Sequence, residues 1–145
     1  MPVPSSSPEL VLALLAESAK KSRVCWLTFS GEDARADVQA RAPRLVWHAW
    51  YDGALLVLSG EDQRLPGIDS ATTAEVVMRS KDTGARLVGW TGTVEVVDPD
   101  DERWETHAAA LLAVRLNLPD PAAALDAWRA DATIVRIVPA DAAQR

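Results

Sequence analysis

The polar residues that follow one apolar strand offer the groups in this sequence that are best suited to binding a ligand. The run ALLVLS, residues 54–59, reads as a buried strand, and it stops in the polar cluster from Ser59 to Arg64. These side chains are costly to bury but hydrogen-bond well. Their positions in the sequence bring a hydroxyl, an amide and a guanidinium group close together. An ordinary polar turn has the same composition, and the residue types alone leave both interpretations open.

The net charge limits what such a cluster could bind. Fifteen Lys and Arg residues against 21 Asp and Glu residues give a formal charge of −6, which repels nucleic-acid phosphates and anionic membranes. We therefore expect neither as a partner. An anionic ligand would need a local basic group, which makes arginines beside turns more informative than arginines on helix faces.

Other kinds of chemistry are poorly supported by the sequence. One cysteine, Cys25, and two histidines, His48 and His107, do not favour a disulfide or a structural zinc site, and we expect no metal. Cys25 lies in a predicted buried strand and is expected to be inert. We expect His48 to be a satisfied or interface residue and His107, on a helix, to lie at the boundary between core and surface. The motifs GxGxxG, GxSxG, HExxH and CxxC and the P-loop are absent.

The first half of the chain predicts a helix followed by strands. Ser7, Pro8 and Glu9 suit a helix start, and an apolar stripe continues to about Lys20. VCWLTF, residues 24–29, predicts a buried strand, and a short strand could follow at residues 36–41. RLVWHAWY and ALLVLS are joined by Asp52-Gly53, the dipeptide typical of a two-residue hairpin.

The second half predicts another hairpin, two helices and a last strand. EVVMR and ARLVGWTGTVEVV flank the turn SKDTG, and Gly89 and Gly92 mark a bend or a close backbone approach. A helix begins after Asp98-Pro99, with Trp104 on its apolar stripe, and Asp120 caps a second helix that carries Trp128. TIVRIV, residues 133–138, predicts the closing strand.

This order favours a mainly β fold with flanking helices. Hairpins in series, without strand–helix–strand alternation, indicate an antiparallel barrel rather than a Rossmann-type sheet. The 145 residues fit one domain, with a helix over residues 1–21 and a barrel with two helices over residues 22–141. The start of the chain lacks the basic region of a secretory signal, and no segment has the apolar length of a membrane span, so we expect a cytoplasmic protein.

The blocks RLVWHAWYDGALLVLSGEDQRL, EVVMRSKDTGARLVGWTGTVEVVDPDDERWE and TIVRIVPAD together resemble the pyridoxamine 5'-phosphate oxidase-like FMN-binding split-barrel proteins. The resemblance covers residues 22–141 and rests on pattern and order. It implies a homodimeric antiparallel split barrel that holds a flavin in a groove at the dimer interface. In that family, basic and hydroxyl groups at the start of one strand and beyond the end of its hairpin partner hold the flavin phosphate.

On this sequence the resemblance implies Arg44, Ser59, Gln63 and Arg64 as the cofactor-binding residues. Residues equidistant from the Asp52-Gly53 turn pair across a hairpin, so Arg44 and Ser59 are expected to converge on one anion. The alternative is a polar hairpin end with a surface salt bridge from Glu61 or Asp62.

Three further residues, Arg79, Ser80 and Lys81, could form a second anion site, although an ordinary charged turn is the favoured interpretation. Trp90 could stack on the flavin ring, but packing in the core or an interface fits it better. The sequence also departs from the family, which commonly has a basic residue where Leu65 stands here.

The resemblance implies an FMN-dependent oxidoreductase, or one that uses a related deazaflavin, acting on a small substrate that the sequence does not identify. The protein's partner would then be a second copy of itself. Two alternatives stay open: a split-barrel dimer without cofactor that acts as a binding or structural protein, and a monomeric barrel that holds an apolar ligand.

Overall fold

The computed structural model describes residues 13, 16–17, 19, 24–31, 43–60, 63–79, 87–115 and 120–140. The strands are β1 (Val24–Gly31), β2 (Arg44–Trp47), β3 (Ala49–Tyr51), β4 (Ala54–Ser59), β5 (Ala71–Arg79), β6 (Leu87–Val97) and β7 (Thr133–Pro139). The helices are α1 (Trp104–Val114) and α2 (Pro121–Asp131), and a 3-10 helix spans Ile68–Ser70.

The seven strands form one sheet in the order β2-β1-β5-β6-β7-β4-β3, and every neighbouring pair whose register is resolved is antiparallel. The two edge strands, β2 and β3, are consecutive in the chain and are separated only by His48. The backbone therefore leaves one edge of the sheet after Trp47 and joins the other edge at Ala49. This connection makes the sheet a nearly closed barrel, as the sequence predicts.

The hairpin turn has the geometry that its dipeptide predicts. Asp52 and Gly53 both have positive φ, 53° and 74°, the left-handed conformation that a two-residue hairpin turn requires. The ladder that follows is short, because the last pair between β3 and β4 joins Ala49 to Leu56.

The strand before the turn does not stay paired with β4, which corrects one prediction. From Trp47 back to Arg44 the chain pairs with β1, where Arg44 lies opposite Leu27. The expectation that residues equidistant from the Asp52-Gly53 turn pair along the whole hairpin, which was the basis for bringing Arg44 and Ser59 together, is therefore wrong. The physical reason is closure of the barrel, since the segment must switch from one edge of the sheet to the other at His48.

Strand β4 is buried on both faces and separates two apolar clusters. Leu55 and Val57 point into the barrel, whereas Leu56 and Leu58 point into the space between the sheet and the helices. All four side chains are fully buried. A strand covered on both sides reads as a continuous apolar run, which explains the ALLVLS pattern.

Both helices pack against the outer face of the sheet through tryptophan. Trp104 on α1 and Trp128 on α2 are each 1% exposed, as their positions on apolar stripes predict. The Asp120 carboxylate accepts a hydrogen bond from the Ala123 backbone N–H at 3.2 Å, and Pro121 occupies the first turn, so the predicted cap is confirmed.

Gly92 lies where the barrel leaves no room for a side chain. A Cβ atom there would come within 2.6 Å of Ile137 Cγ2 and 2.8 Å of the Val138 carbonyl oxygen. The predicted close approach is confirmed at this position. At Gly89 the nearest atoms would lie 3.9 Å away, which is an ordinary contact.

The predicted first helix lies only partly within the described residues. Ala13, Ala16, Glu17 and Ala19 are helical, and Ala19 is 4% exposed within the cluster that fills the barrel. The rest of the predicted first helix, the short strand at 36–41 and the SKDTG turn lie outside the described residues. No helix in the described part of the chain has the length and apolar character needed to cross a membrane.

Candidate functional site

A groove opens beside the split in the barrel, where β2 begins and the loop after β4 passes next to it. Its lining residues are Val24, Arg44, Leu45, Val46, Trp47, Gln63, Arg64 and Leu65. Its volume of about 430 Å³ lies within the range of small-molecule and cofactor sites. We call it the Arg44 groove.

Two arginines bring positive charge to this groove. The Arg44 Nη1 atom donates to the Arg64 carbonyl oxygen over 3.4 Å, so the start of β2 and the loop after β4 meet at these residues. Within the described part of the chain, no ion pair engages either guanidinium group. Each guanidinium carries five N–H donors, and most of them are therefore available to an anion.

The Gln63 side chain holds the two sides of the split together. Its Oε1 atom accepts a hydrogen bond from the Trp47 backbone N–H at 2.7 Å. Its Nε2 atom donates to the Trp47 carbonyl oxygen at 3.2 Å and to the Leu58 carbonyl oxygen at 2.9 Å. Gln63 was predicted to bind cofactor, yet these contacts commit its amide group to the protein backbone.

Ser59 lies in a neighbouring groove rather than in the Arg44 groove. Its Oγ atom accepts a hydrogen bond from the Leu65 backbone N–H at 3.0 Å. Ser59, Asp69, Asp131 and Thr133 line this second groove, which has a volume of about 320 Å³ and shares Arg64 and Leu65 with the first. Of the four predicted residues around the hairpin, the structure therefore brings Arg44, Gln63 and Arg64 into one groove.

Leu65, which stands where the resembled family commonly has a basic residue, is part of the barrel core. It is 3% exposed and packs in the same cluster as Leu27 and Ile68. This residue follows Arg64 directly, so its burial anchors the loop that presents the Arg64 side chain.

The apolar wall of the Arg44 groove was not predicted from the sequence. Val24 and Leu45 are 40% and 58% exposed, and both line the groove. Trp26 lies directly opposite Leu45 in the β1–β2 ladder and is 36% exposed. The sequence of β1 carries no signal for this surface, because VCWLTF is apolar at nearly every position and reads as a strand buried on both faces.

Comparisons with known proteins place this geometry in context. No protein-family model matches the chain, and no curated protein matches it in sequence. Several solved structures do match. A candidate pyridoxamine 5'-phosphate oxidase from Listeria innocua is 16% identical with a TM-score of 0.56, and the match covers 92% of this chain and 93% of that one.

A FAD-binding protein from Mesorhizobium loti is 16% identical, with a TM-score of 0.58 over 92% of this chain and 88% of that one. The heme storage protein HutZ from Vibrio cholerae is 14% identical, with a TM-score of 0.58 over 86% and 87%. The chain has the pyridoxamine 5'-phosphate oxidase-like split-barrel fold. The fold that the sequence resemblance implies is thus confirmed.

Trp90 of this split barrel lies away from the Arg44 groove. It is on β6, the third strand from β2 in the sheet, and it packs edge-to-face against Trp50 with ring centroids 6.3 Å apart. Both tryptophans pack against the cluster inside the barrel. This placement favours core packing over flavin stacking for Trp90.

The other proposed anion site falls largely outside the described residues. Arg79 is the last residue of β5, where it pairs with Leu87, whereas Ser80 and Lys81 lie beyond the described part of the chain. Their proposed role stays a prediction.

The histidines and the cysteine of the split barrel are buried away from the groove. His48 is 3% exposed, with its Nε2 atom 3.1 Å from the Ala19 carbonyl oxygen. His107 is 2% exposed, so its expected position at the boundary between core and surface is wrong. Its Nδ1 atom donates to the Arg103 carbonyl oxygen at 2.7 Å, and its ring packs edge-to-face against the Tyr51 ring. Burial raises the pKa of the Cys25 thiol to about 12, which keeps it protonated and unreactive.

The donor set of the Arg44 groove fits a cofactor with an anionic head and an apolar body. Arg44 and Arg64 offer planar N–H donors that match a phosphate group, and Val24 and Leu45 offer an apolar surface next to them. The described residues contain no group of three His, Cys, Asp or Glu side chains that could hold a metal ion.

Proposed function

We propose that this split-barrel protein binds FMN, or a related deazaflavin, in the Arg44 groove and acts as an oxidoreductase on a small substrate. The observation that carries the proposal is the pair of arginines in a groove whose other described lining residues are apolar apart from Gln63. A flavin phosphate and its flat aromatic ring match that distribution of charge and apolar surface. The similar fold of a FAD-binding protein supports a cofactor of the flavin class.

In this proposal the Arg44 and Arg64 guanidinium groups bind the phosphate through charge-assisted hydrogen bonds. Val24 and Leu45 line the part of the groove that would face the ring. A bound flavin supplies the hydride chemistry, whereas the protein supplies position and a water-poor surface. The described lining residues include no histidine, carboxylate or thiol, which suits a site whose own side chains bind and orient.

The proposal includes a second copy of the chain. The Arg44 groove is open, and three exposed apolar residues, Val24, Trp26 and Leu45, lie on or beside its rim. A second copy packed on this surface would remove it from water and would enclose a flavin ring lying in the groove. Aromatic and aliphatic residues are the usual core of such interfaces.

Heme is a less suitable ligand for this groove, although the similar structures include a heme storage protein. Heme iron in proteins is commonly held by a His, Cys, Met or Tyr side chain. None of these residues is among the described residues that line the Arg44 groove, and His48 and His107 are buried elsewhere. The lining therefore favours a flavin.

One observation favours the alternative of a split barrel without cofactor. Leu65 is buried in the core, so the position that is commonly basic in the family adds no charge here. Two guanidinium groups would have to hold the phosphate alone. Such a protein would act by binding a partner through the apolar surface beside the groove.

The cofactor bound to the purified protein tests these alternatives. We expect the visible absorbance bands of a flavin, and we expect mass spectrometry of the small molecule released by denaturation to give the mass of FMN or of a deazaflavin. Colourless protein would be incubated with FMN and desalted before the same measurement. A heme spectrum, or no retained flavin after that incubation, would contradict the proposal.

A further inference from the structure

Gln63 lies where two described strands of the barrel wall, β2 and β4, do not pair with each other. β4 pairs with β3 only as far as Leu56, and β2 pairs with β1 on its other side. Between Trp47 at the end of β2 and Leu58 near the end of β4, the backbone is joined through the Gln63 carboxamide. The side chain thus replaces the hydrogen bonds that a neighbouring strand would make.

All of the hydrogen-bonding groups in this contact are used. The Gln63 Oε1 atom accepts a hydrogen bond from the Trp47 N–H, and the two Nε2 protons are donated to the carbonyl oxygens of Trp47 and Leu58. Gln63 is 9% exposed, so water does not readily replace these partners. Its own backbone is fixed as well, because Gly60 and Gln63 exchange two hydrogen bonds of 2.8 and 2.9 Å.

The contact lies close in the chain to both arginines of the groove. Arg44 is on β2, three residues before Trp47, and Arg64 directly follows Gln63. The two guanidinium groups carry like charges, which oppose close approach when no anion is bound. A rigid connection between β2 and the loop after β4 keeps both guanidinium groups at the groove. Ligand binding then does not have to order this part of the backbone, which would cost conformational entropy.

We propose that Gln63 is a positioning residue that fixes the width of the barrel split and thereby holds Arg44 and Arg64 at the spacing that binds a phosphate group. This inference rests on the proposed function for its ligand. It assigns Gln63 no contact with the ligand itself. The effect on binding is exerted through the two arginines.

A double-mutant cycle distinguishes this role from a general loss of stability. The variants are Gln63→Met, Arg44→Ala and their combination, and the measurement is the dissociation constant for FMN and for riboflavin, which lacks the phosphate. Gln63→Met keeps the length of the side chain and removes all three hydrogen bonds. Gln63→Asn serves as a second variant that adds no charge, because it keeps a neutral carboxamide group and shortens the side chain by one methylene.

We expect Gln63→Met to weaken FMN binding at least tenfold and to leave riboflavin binding within about twofold, since only the phosphate contacts depend on the spacing. In the Arg44→Ala background the same change should weaken FMN binding by much less, because the residue through which it acts is gone. Gln63→Asn should give a smaller loss with the same preference for FMN, since its carboxamide can keep part of the hydrogen bonding.

Two results would overturn the positioning role. One is that Gln63→Met raises the dissociation constants of FMN and riboflavin by equal factors. The other is that the double variant raises the dissociation constant of FMN by the product of the factors measured for Gln63→Met and Arg44→Ala alone. A ligand-independent measurement accompanies the cycle: amide hydrogen exchange at Trp47 should be at least tenfold faster in both Gln63 variants. Unchanged exchange would contradict the connection across the split, whereas failure of the unaltered protein to bind FMN would contradict the proposed function instead.

Discussion

At the scale of single residues, the candidate site depends on a small number of local charges in an acidic protein. The chain carries a net charge of −6, and yet Arg44 and Arg64 meet at one groove, where the first donates to the carbonyl oxygen of the second. Leu65, the next residue along, is buried and adds apolar contact in place of charge. Binding of an anion should therefore depend strongly on each arginine.

We expect Arg44→Ala and Arg64→Ala each to weaken FMN binding about tenfold or more, because loss of a hydrogen bond to a charged group costs about 1.5–3 kcal/mol. Isothermal titration or flavin fluorescence would measure the affinity. Arg103→Ala is the matched control, since this exposed arginine pairs with Asp101 at 3.1 Å and does not line the groove. Equal losses in all three variants would indicate a general charge effect rather than a site.

At the scale of elements, the close approach of β6 to β7 at Gly92 leads to a prediction about packing. A Cβ atom at residue 92 would lie 2.6 Å from Ile137 Cγ2 and 2.8 Å from a backbone oxygen on β7, so Gly92→Ala must displace part of the β6–β7 ladder. We expect it to lower the free energy of unfolding by about 1–3 kcal/mol. Chemical denaturation measures this difference.

Gly89→Ala, on the same strand, is the matched control. The nearest atoms to a Cβ there would be 3.9 Å away, so we expect the stability to change by less than about 1 kcal/mol or to increase slightly. Equal destabilisation by the two substitutions would show that glycine acts through strand flexibility and not through the close approach at Gly92.

The elements also show what local sequence could and could not predict. The Asp52-Gly53 turn, the Asp120 cap and the apolar run of β4 follow from local chemistry, and the structure confirms them. The switch between sheet edges at His48 does not, because it depends on closure of the whole barrel. For the same reason the predicted continuous pairing of the hairpin, from which Arg44 and Ser59 were expected to converge, is wrong.

The candidate site was predicted only in part. Sequence and resemblance pointed to Arg44 and Arg64, which the structure does place at one groove. They could not show that Gln63 contacts backbone groups five and 16 residues away. Those contacts depend on β2 and β4 not pairing with each other, which only the whole barrel determines. The apolar rim of Val24 and Leu45 was missed because both residues read as ordinary strand positions.

At the scale of the whole molecule, the apolar surface beside the groove bears on the oligomeric state. Trp26 and Leu45 pair across β1 and β2 and are 36% and 58% exposed. Exposed apolar residues beside a groove are typical of an interaction site. We proposed above that a second copy covers it.

We expect the protein to form a dimer and Leu45→Lys to make it monomeric, because a buried, unpaired ammonium group opposes association. Size-exclusion chromatography with light scattering measures the molar mass. Val96→Lys is the control, since Val96 is 46% exposed on β6, which lies two strands from β1. A monomeric unaltered protein, or equal dissociation in both variants, would contradict this assignment of the interface.

The central claim is that the Arg44 groove binds a flavin through its phosphate. Its most direct test is a titration of the unaltered protein with FMN and, in parallel, with riboflavin, followed by quenching of flavin fluorescence. We predict saturable FMN binding with a stoichiometry of one per chain, and binding of riboflavin at least tenfold weaker because it cannot contact Arg44 and Arg64. Equal affinity for the two ligands, or no saturable binding of FMN, would contradict the claim.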